Sequence, residues 1–249
     1  MKKTYLALRC LVLWVISALH FFPVCTFLVL LGLVIDPRKN DWPQRVFFRN
    51  IIRLAGAGFQ VRRAPGFDPQ RTSIFICNHV NLFDPFVIYS AIPQFVRGWE
   101  LETHFTIPAY GWMMGRFGNI PVPENTASLA TFKALLRRTQ AALDAGISVI
   151  VFPEGSRTRD GRVGPFQEGI FRMLPHLQYP VVPMSIVGAL EWFRTGDWML
   201  NPATVTVDLH DTLETRGMTR SDVEAFQQRV YETVARPIDA ALERRGTPE

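Results

Sequence analysis

Residues 5–35 form an almost unbroken apolar run, interrupted by Arg9, Ser17, His20, Pro23 and Thr26. Such a run has no polar face to give to water, so it does not suit the half-exposed helix of a soluble domain. About 20 apolar residues suffice to cross a bilayer, and the run exceeds that. Pro23 divides it into two shorter stretches, 10–22 and 24–35, and proline inside a helix kinks or breaks it. Lys2, Lys3 and Arg9 lie at its start, and Arg38, Lys39, Arg45, Arg49 and Arg53 follow it. Positive charge at both ends suits a segment with both ends on the cytoplasmic side. A re-entrant helical hairpin bent at Pro23 is therefore expected, with a single span as the other reading. A cleaved signal peptide fits less well, because the run outlasts a normal h-region and no small-x-small cleavage site follows. Residues 1–36 thus read as a membrane anchor, 37–70 as a basic linker or interfacial segment, and 71–249 as one globular domain.

Beyond the anchor, strand-like and helix-like stretches alternate. SIFIC (73–77) and SVIVF (148–152) are short β-rich runs, and 179–187 and 203–210 also read as strands. Asp84-Pro85 opens a helix running to Ala91, with Asp at the cap and Pro in the first turn. Leu129, Phe132, Leu135, Leu136 and Leu143 recur at helical spacing, so 125–145 reads as a helix capped by Asn125 or Thr126 and ended by Gly146. Residues 45–58 read as a helix along the membrane surface, 166–174 as a short helix, and 219–244 as a polar amphipathic helix. This alternation predicts an α/β domain, a mixed sheet flanked by helices, behind an N-terminal membrane-attached helical segment.

Lys and Arg number 27 against 22 Asp and Glu, a net charge of +5. That balance favours anionic partners such as phospholipid headgroups. Nucleic acid is not expected, since after residue 60 no basic stripe is interleaved with aromatics. Cys10, Cys25 and Cys77 match neither a disulfide framework nor a zinc spacing.

Two stretches carry chemistry. In NHVNLFD (78–84), His79 follows a strand and four residues separate it from Asp84. A neutral imidazole removes a proton from a hydroxyl near pH 7. A carboxylate on its other ring nitrogen fixes the tautomer and stabilises the imidazolium. The spacing alone is short, and Asp84 also explains itself as a helix cap. No nucleophilic Ser or Cys is evidently paired with His79, so direct attack by a hydroxyl is expected rather than a covalent intermediate. A lipase or thioesterase is disfavoured because no G-x-S-x-G elbow is present.

FPEGSRTRDGR (152–162) follows the second β-rich run. Gly155 permits close backbone approach. Arg157, Arg159 and Arg162 bring three guanidinium groups into six positions, and a guanidinium grips phosphate in bidentate fashion. Asp160-Gly161 is a turn signal, so Arg159 and Arg162 read as a solvated turn and Arg157 as the phosphate contact.

Together these stretches resemble the glycerolipid acyltransferase family, whose best-known bacterial members acylate 1-acylglycerol-3-phosphate. The N-H-x4-D motif is matched by Asn78, His79 and Asp84, and F-P-E-G-[ST]-R by Phe152, Pro153, Glu154, Gly155, Ser156 and Arg157. The resemblance runs from about residue 70 to 190 and includes a later Pro-containing strand, Tyr179-Pro180-Val181-Val182-Pro183. It implies that His79 is the base and Asp84 its partner. It implies that Asn78, Glu154, Gly155, Ser156 and Arg157 shape the substrate site, with Arg157 on a phosphate. The implied donor is acyl-CoA or acyl-carrier protein, the implied acceptor a membrane lysophospholipid, and the catalytic domain sits on the cytoplasmic face of the membrane. No metal or redox cofactor is implied.

The chain departs from the family pattern at three places. Where the middle motif resembles G-x-I-F-I-D-R, the run is Gly118-Asn119-Ile120-Pro121-Val122-Pro123-Glu124, with Glu124 at the Arg position. Where the family often has F-K-x-G, the chain has Phe166-Gln167-Glu168-Gly169 without the Lys. Asn81 replaces a common Ser. Two cations near the acceptor are thus absent, and Arg116 lies close enough in sequence to stand in. The alternatives are a different lysolipid acceptor, such as a lyso-aminolipid, and a non-catalytic lipid-binding protein. The aromatic- and Met-rich stretch 105–117 reads as a wall of an acyl-chain tunnel, a membrane-dipping surface or ordinary core.

Overall fold

A computed structural model describes residues 2–38, 41–124 and 128–246. Among them, seven strands form one sheet: β1 (Ala57–Arg63), β2 (Ile74–Cys77), β3 (Val96–Leu101), β4 (Ile120–Val122), β5 (Ser148–Val151), β6 (Val181–Val187) and β7 (Ala203–Leu209). Their order is β1-β7-β6-β2-β5-β3-β4. Neighbours run parallel except β6 and β7, so the sheet is mixed. The central strands β2 and β5 are buried along their whole length, as uninterrupted apolar runs in a covered parallel sheet must be.

Helices cover both faces. They are α1 (Lys2–Val34), α2 (Trp42–Leu54), α3 (Asp84–Ala91), α4 (Tyr110–Arg116), α5 (Leu129–Asp144), α6 (Glu168–Phe171), α7 (Leu174–Leu177), α8 (Ala189–Trp192) and α9 (Val223–Gly246). Phe47, Phe48, Ile52, Phe75, Met113 and Trp192 belong to the core on one side. Ile74, Leu135, Val149, Phe171 and Val230 belong to the core on the other. Trp192 is fully buried, donates its indole N–H to the Ala55 carbonyl at 2.9 Å and lies 4.3 Å from the Phe83 ring. Trp192→Ala should therefore cost about 3–5 kcal/mol, a fall of roughly 10 °C in Tm for a chain of this size. Thermal unfolding in detergent checks this; a shift of a degree or two would contradict it.

The N-terminal segment differs from the hairpin expectation. Helix α1 runs without interruption through Pro23, and at 1.5 Å per residue it is about 50 Å long. It lies lengthwise on the domain. Cys10, Ser17, Cys25 and Leu28 recur at helical spacing and are buried against it, while Leu11, Val15, Leu19, Phe22, Leu30 and Leu33 face outward. Polar ties hold both ends: Arg9 donates to the Leu200 carbonyl at 2.7 Å, Trp14 to the Trp198 carbonyl at 2.7 Å, and Arg116 to the Gly32 carbonyl. Residues 4–34 are long and apolar enough to cross a membrane by length and composition. The side-on packing that offsets the cost of Pro23 also makes α1 part of the domain.

The basic linker or interfacial segment expected over 37–70 is structured, and its expected helix over 45–58 overlaps α2. Its residues form α2, whose Phe47, Phe48, Ile51 and Ile52 are buried, and the edge strand β1, paired with β7. Gly56, at φ +83°, makes the turn between them, which ends the helix earlier than its mixed composition suggested. Asp84 is the first residue of α3 rather than its cap, a place taken by Phe83. The caps expected at Asn125 and Thr126 lie outside the described residues; Ser128 caps α5, its Oγ accepting from the Thr131 N–H at 3.0 Å. Strands β3 and β4 and helix α4 had no clear signal in the sequence.

Candidate active site

The first chemical stretch leaves the C-terminal end of β2 and the second leaves that of β5, adjacent parallel strands. Open α/β sheets place their ligand sites at this edge. Two bonds join the loops, and a third braces the second loop on itself. Glu154 Oε1 accepts from the His79 N–H at 2.7 Å, its Oε2 accepts from the Gly164 N–H at 2.7 Å, and the Thr158 N–H donates to the His79 carbonyl at 3.0 Å. Gly155 turns the second loop at φ +68°, and a Cβ there would strike the Gln167 side chain. Burial pushes the Glu154 carboxyl above the usual range, against the two backbone donors.

His79 Nδ1 and Asp84 Oδ2 are 2.7 Å apart. Asp84 is completely buried, and the same Oδ2 also accepts from the Val80 and Asn81 N–H groups at 2.5 and 3.0 Å. The carboxylate thus organises the turn and the imidazole together, leaving Nε2 as the ring's reactive nitrogen. Phe152 stacks on the imidazole with centroids 4.3 Å apart and planes inclined by 18°. Stacking adds a second restraint on the ring orientation.

Two asparagines anchor the His79 loop. Asn78 is buried and spends its amide on Ile186, accepting from its N–H at 2.7 Å and donating to its carbonyl at 3.1 Å. Asn81 donates to the Ala189 and Phe193 carbonyls and accepts from the Phe83 N–H. Asn78 and Glu154, expected at the substrate, therefore face inward and support the loops. Glu154→Gln would set an amide N–H against a backbone N–H. We expect a loss of about 1–3 kcal/mol and a lowered kcat, measured by thermal unfolding and turnover together; unchanged turnover would contradict the positioning role.

His79, Gly155, Ser156 and Arg157 line a cavity of about 860 Å³, within the range of small-molecule sites. Trp14 and Phe21 of α1, Phe86 of α3 and Phe132 of α5 give it apolar walls. Stretch 105–117 divides its roles: Ile107 and Tyr110 line the cavity, Met113 and Met114 are core, and Trp112 is exposed. Arg159, read from sequence as solvated, also lines the cavity. Arg162 is exposed and pairs with Asp239 at 3.7 Å. Arg116 is absent from the lining among the described residues and is spent on the α1 carbonyl, so it does not replace the missing cations.

Glu100 and His104 were missed in the sequence although both line the cavity and bond to each other. Their signal is a Glu-x3-His spacing that runs from the end of β3 into the following turn, and β3 itself has no clear sequence pattern. Cys77, beside the His79 loop, is fully buried, and burial foremost, with the charges of Asp84 and Glu154, pushes its thiol well above the usual range. It is thus no thiolate nucleophile. No cluster of metal ligands occurs among the described residues.

This chain is similar to known acyltransferases. A 1-acyl-sn-glycerol-3-phosphate acyltransferase of Brassica napus is 31% identical over 138 residues, 55% of this chain and 39% of that one. One of Cocos nucifera is 26% identical over 184 residues, 73% of this chain and 56% of that one. The chain thus spans about two fifths to three fifths of the length of these curated relatives. The crystal structure of PlsC, the 1-acyl-sn-glycerophosphate acyltransferase of Thermotoga maritima, superposes with a TM-score of 0.78 over 96% of this chain and 97% of that one, at 22% identity, and so shares the fold. The Acyltransferase family profile matches residues 58–187, just over half of the chain and both chemical loops, and the chain belongs to that family.

Proposed function

We propose that this protein moves a fatty acyl group from a thioester, acyl-CoA or acyl-carrier protein, to the free hydroxyl of 1-acylglycerol-3-phosphate. The observation that carries this reading is the His79–Asp84 pair at 2.7 Å, opening into a cavity with apolar walls and a guanidinium, Arg157. The apolar walls suit acyl chains, and Arg157 suits a phosphate. His79 Nε2 takes the proton as the hydroxyl oxygen attacks the thioester carbonyl. Asp84 stabilises the resulting imidazolium, which returns the proton to the departing thiolate. An ester forms, a thioester breaks, and no covalent enzyme intermediate is required.

The outer stripe of α1 seats the protein on its lipid substrate. Large apolar side chains along about 50 Å of helix, joined by exposed Trp42, Trp112 and Trp198, suit one leaflet and its interface. Arg49 and Arg53 are exposed on α2, which follows α1, and favour the anionic cytoplasmic face. The site then receives its acceptor from the same leaflet.

Arg157→Ala tests the acceptor assignment. Losing a charge-assisted phosphate contact of about 1.5–3 kcal/mol should raise the KM for 1-acylglycerol-3-phosphate roughly tenfold or more, with a smaller change for the acyl donor. A KM that rises for the donor alone would place the guanidinium on the donor instead.

A further inference from the structure

The cavity holds a second polar pole that the acyl-transfer chemistry leaves unused. Glu100 is the penultimate residue of β3, and His104 lies one turn further along; Glu100 Oε1 is bonded to His104 Nδ1, and both residues line the cavity. The pair is near the catalytic loops. Gly98 is in register with Ile150 of β5, and Ile76 of β2 with Val151. Glu100 is thus level with Phe152 and Cys77 and two strands from β2, about 10 Å away at the usual strand spacing. Tyr110 lies within the fields of both Glu100 and Arg157, with burial the foremost cause of its raised pKa. The cavity therefore presents both a guanidinium, Arg157, and a carboxylate, Glu100.

We propose that Glu100, held by His104, is a subsite for an ammonium group carried beyond the acceptor's phosphate, so that zwitterionic amino-lysophospholipids are acceptors alongside the simple phosphate monoester. The inference rests on the acyl-transfer reading and deepens it. The Glu100 side chain is 16% exposed, and a carboxylate so far removed from water gains from a cationic ligand. Trp99 and Tyr110 line the same cavity, and aromatic rings attract an ammonium. The spread of charge follows the ligand: phosphate at Arg157, hydroxyl at His79, amine at Glu100. It also fits the absence of the two cations expected at residues 124 and 167, since a zwitterion carries less net negative charge than a phosphate monoester.

The test is a competition among acceptors of equal acyl chain, using the full chain in phosphatidylcholine vesicles with a long-chain acyl-CoA. The acceptors are 1-acylglycerol-3-phosphate, its phosphoethanolamine ester and its phosphoglycerol ester. The last matches the second in size but carries hydroxyls in place of the amine. The expected kcat/KM ratio of ethanolamine to glycerol ester is at least about tenfold, falling toward one in Glu100→Gln and inverting in Glu100→Lys. A merely structural pair would move all three acceptors together. Transfer to the phosphate monoester with a wild-type ratio near one, or with a ratio unchanged in Glu100→Gln, would overturn the subsite and leave the acyl transfer standing. Transfer to none of the three would overturn both.

Discussion

His79→Ala should lower kcat by about a thousandfold or more, within the range a positioned general base contributes. The KM values for donor and acceptor should stay within a few-fold, because the imidazole takes the hydroxyl proton only as the transition state is approached. The variant should still fold. It loses the stack on Phe152 and one hydrogen bond, while the Asp84 carboxylate keeps its Val80 and Asn81 donors and the Glu154 carboxylate keeps the backbone N–H of residue 79. Turnover measured beside thermal unfolding separates loss of chemistry from loss of structure. Turnover within tenfold of wild type in a folded variant would remove His79 from the mechanism.

Asp84→Asn should lower kcat by about a hundredfold, less than loss of the base. The three donors on Oδ2 make the reason specific. Val80 N–H, Asn81 N–H and His79 Nδ1 converge on that oxygen, so an asparagine is forced to turn its carbonyl toward them. The imidazole tautomer is then preserved, and only the charge that stabilises the imidazolium is lost. The new amide group replaces Oδ1, which is buried without a partner, at a cost of about 1–3 kcal/mol. Asp84→Ala differs in kind, leaving two buried backbone N–H groups unpaired, and should fall mainly in stability. Equal kcat losses for Asp84→Asn and His79→Ala would mean that the carboxylate sets the tautomer rather than the charge.

The parts of the fold legible in the sequence were those with one environment along their length. Strands β2 and β5 are buried throughout, and short apolar runs announced them. Strand β3 reads VRGWEL because its first half packs into the core and its second half, still paired with β4, lines the cavity. Mixed duty erased any period, and Glu100 and His104 were lost with it. Pro23 signals a break because a proline inside an isolated helix costs a hydrogen bond and a steric clash. In the folded chain, side-on contacts and the ties from Arg9, Trp14 and Arg116 hold α1 straight through it.

The site was legible where chemistry fixes residue type. A base and its carboxylate need His and Asp at a spacing one turn can close, and the structure brings His79 and Asp84 together. Roles were less visible. Glu154 and Asn78 carry the polarity of ligand contacts, yet their side chains are consumed by backbone groups of His79, Gly164 and Ile186. Only the third dimension distinguishes a carboxylate that meets substrate from one that meets an N–H. Phe152 was visible as a motif letter, but its stack on His79 was not.

The most direct test of acyl transfer is mass spectrometry of the products formed by the purified full chain in vesicles, given a long-chain acyl thioester and 1-acylglycerol-3-phosphate. The expected result is diacylglycerol-3-phosphate formed in step with free thiol and absent with His79→Ala. Thiol release accompanied by free fatty acid, with no diacyl product, would make water the acceptor and contradict the account.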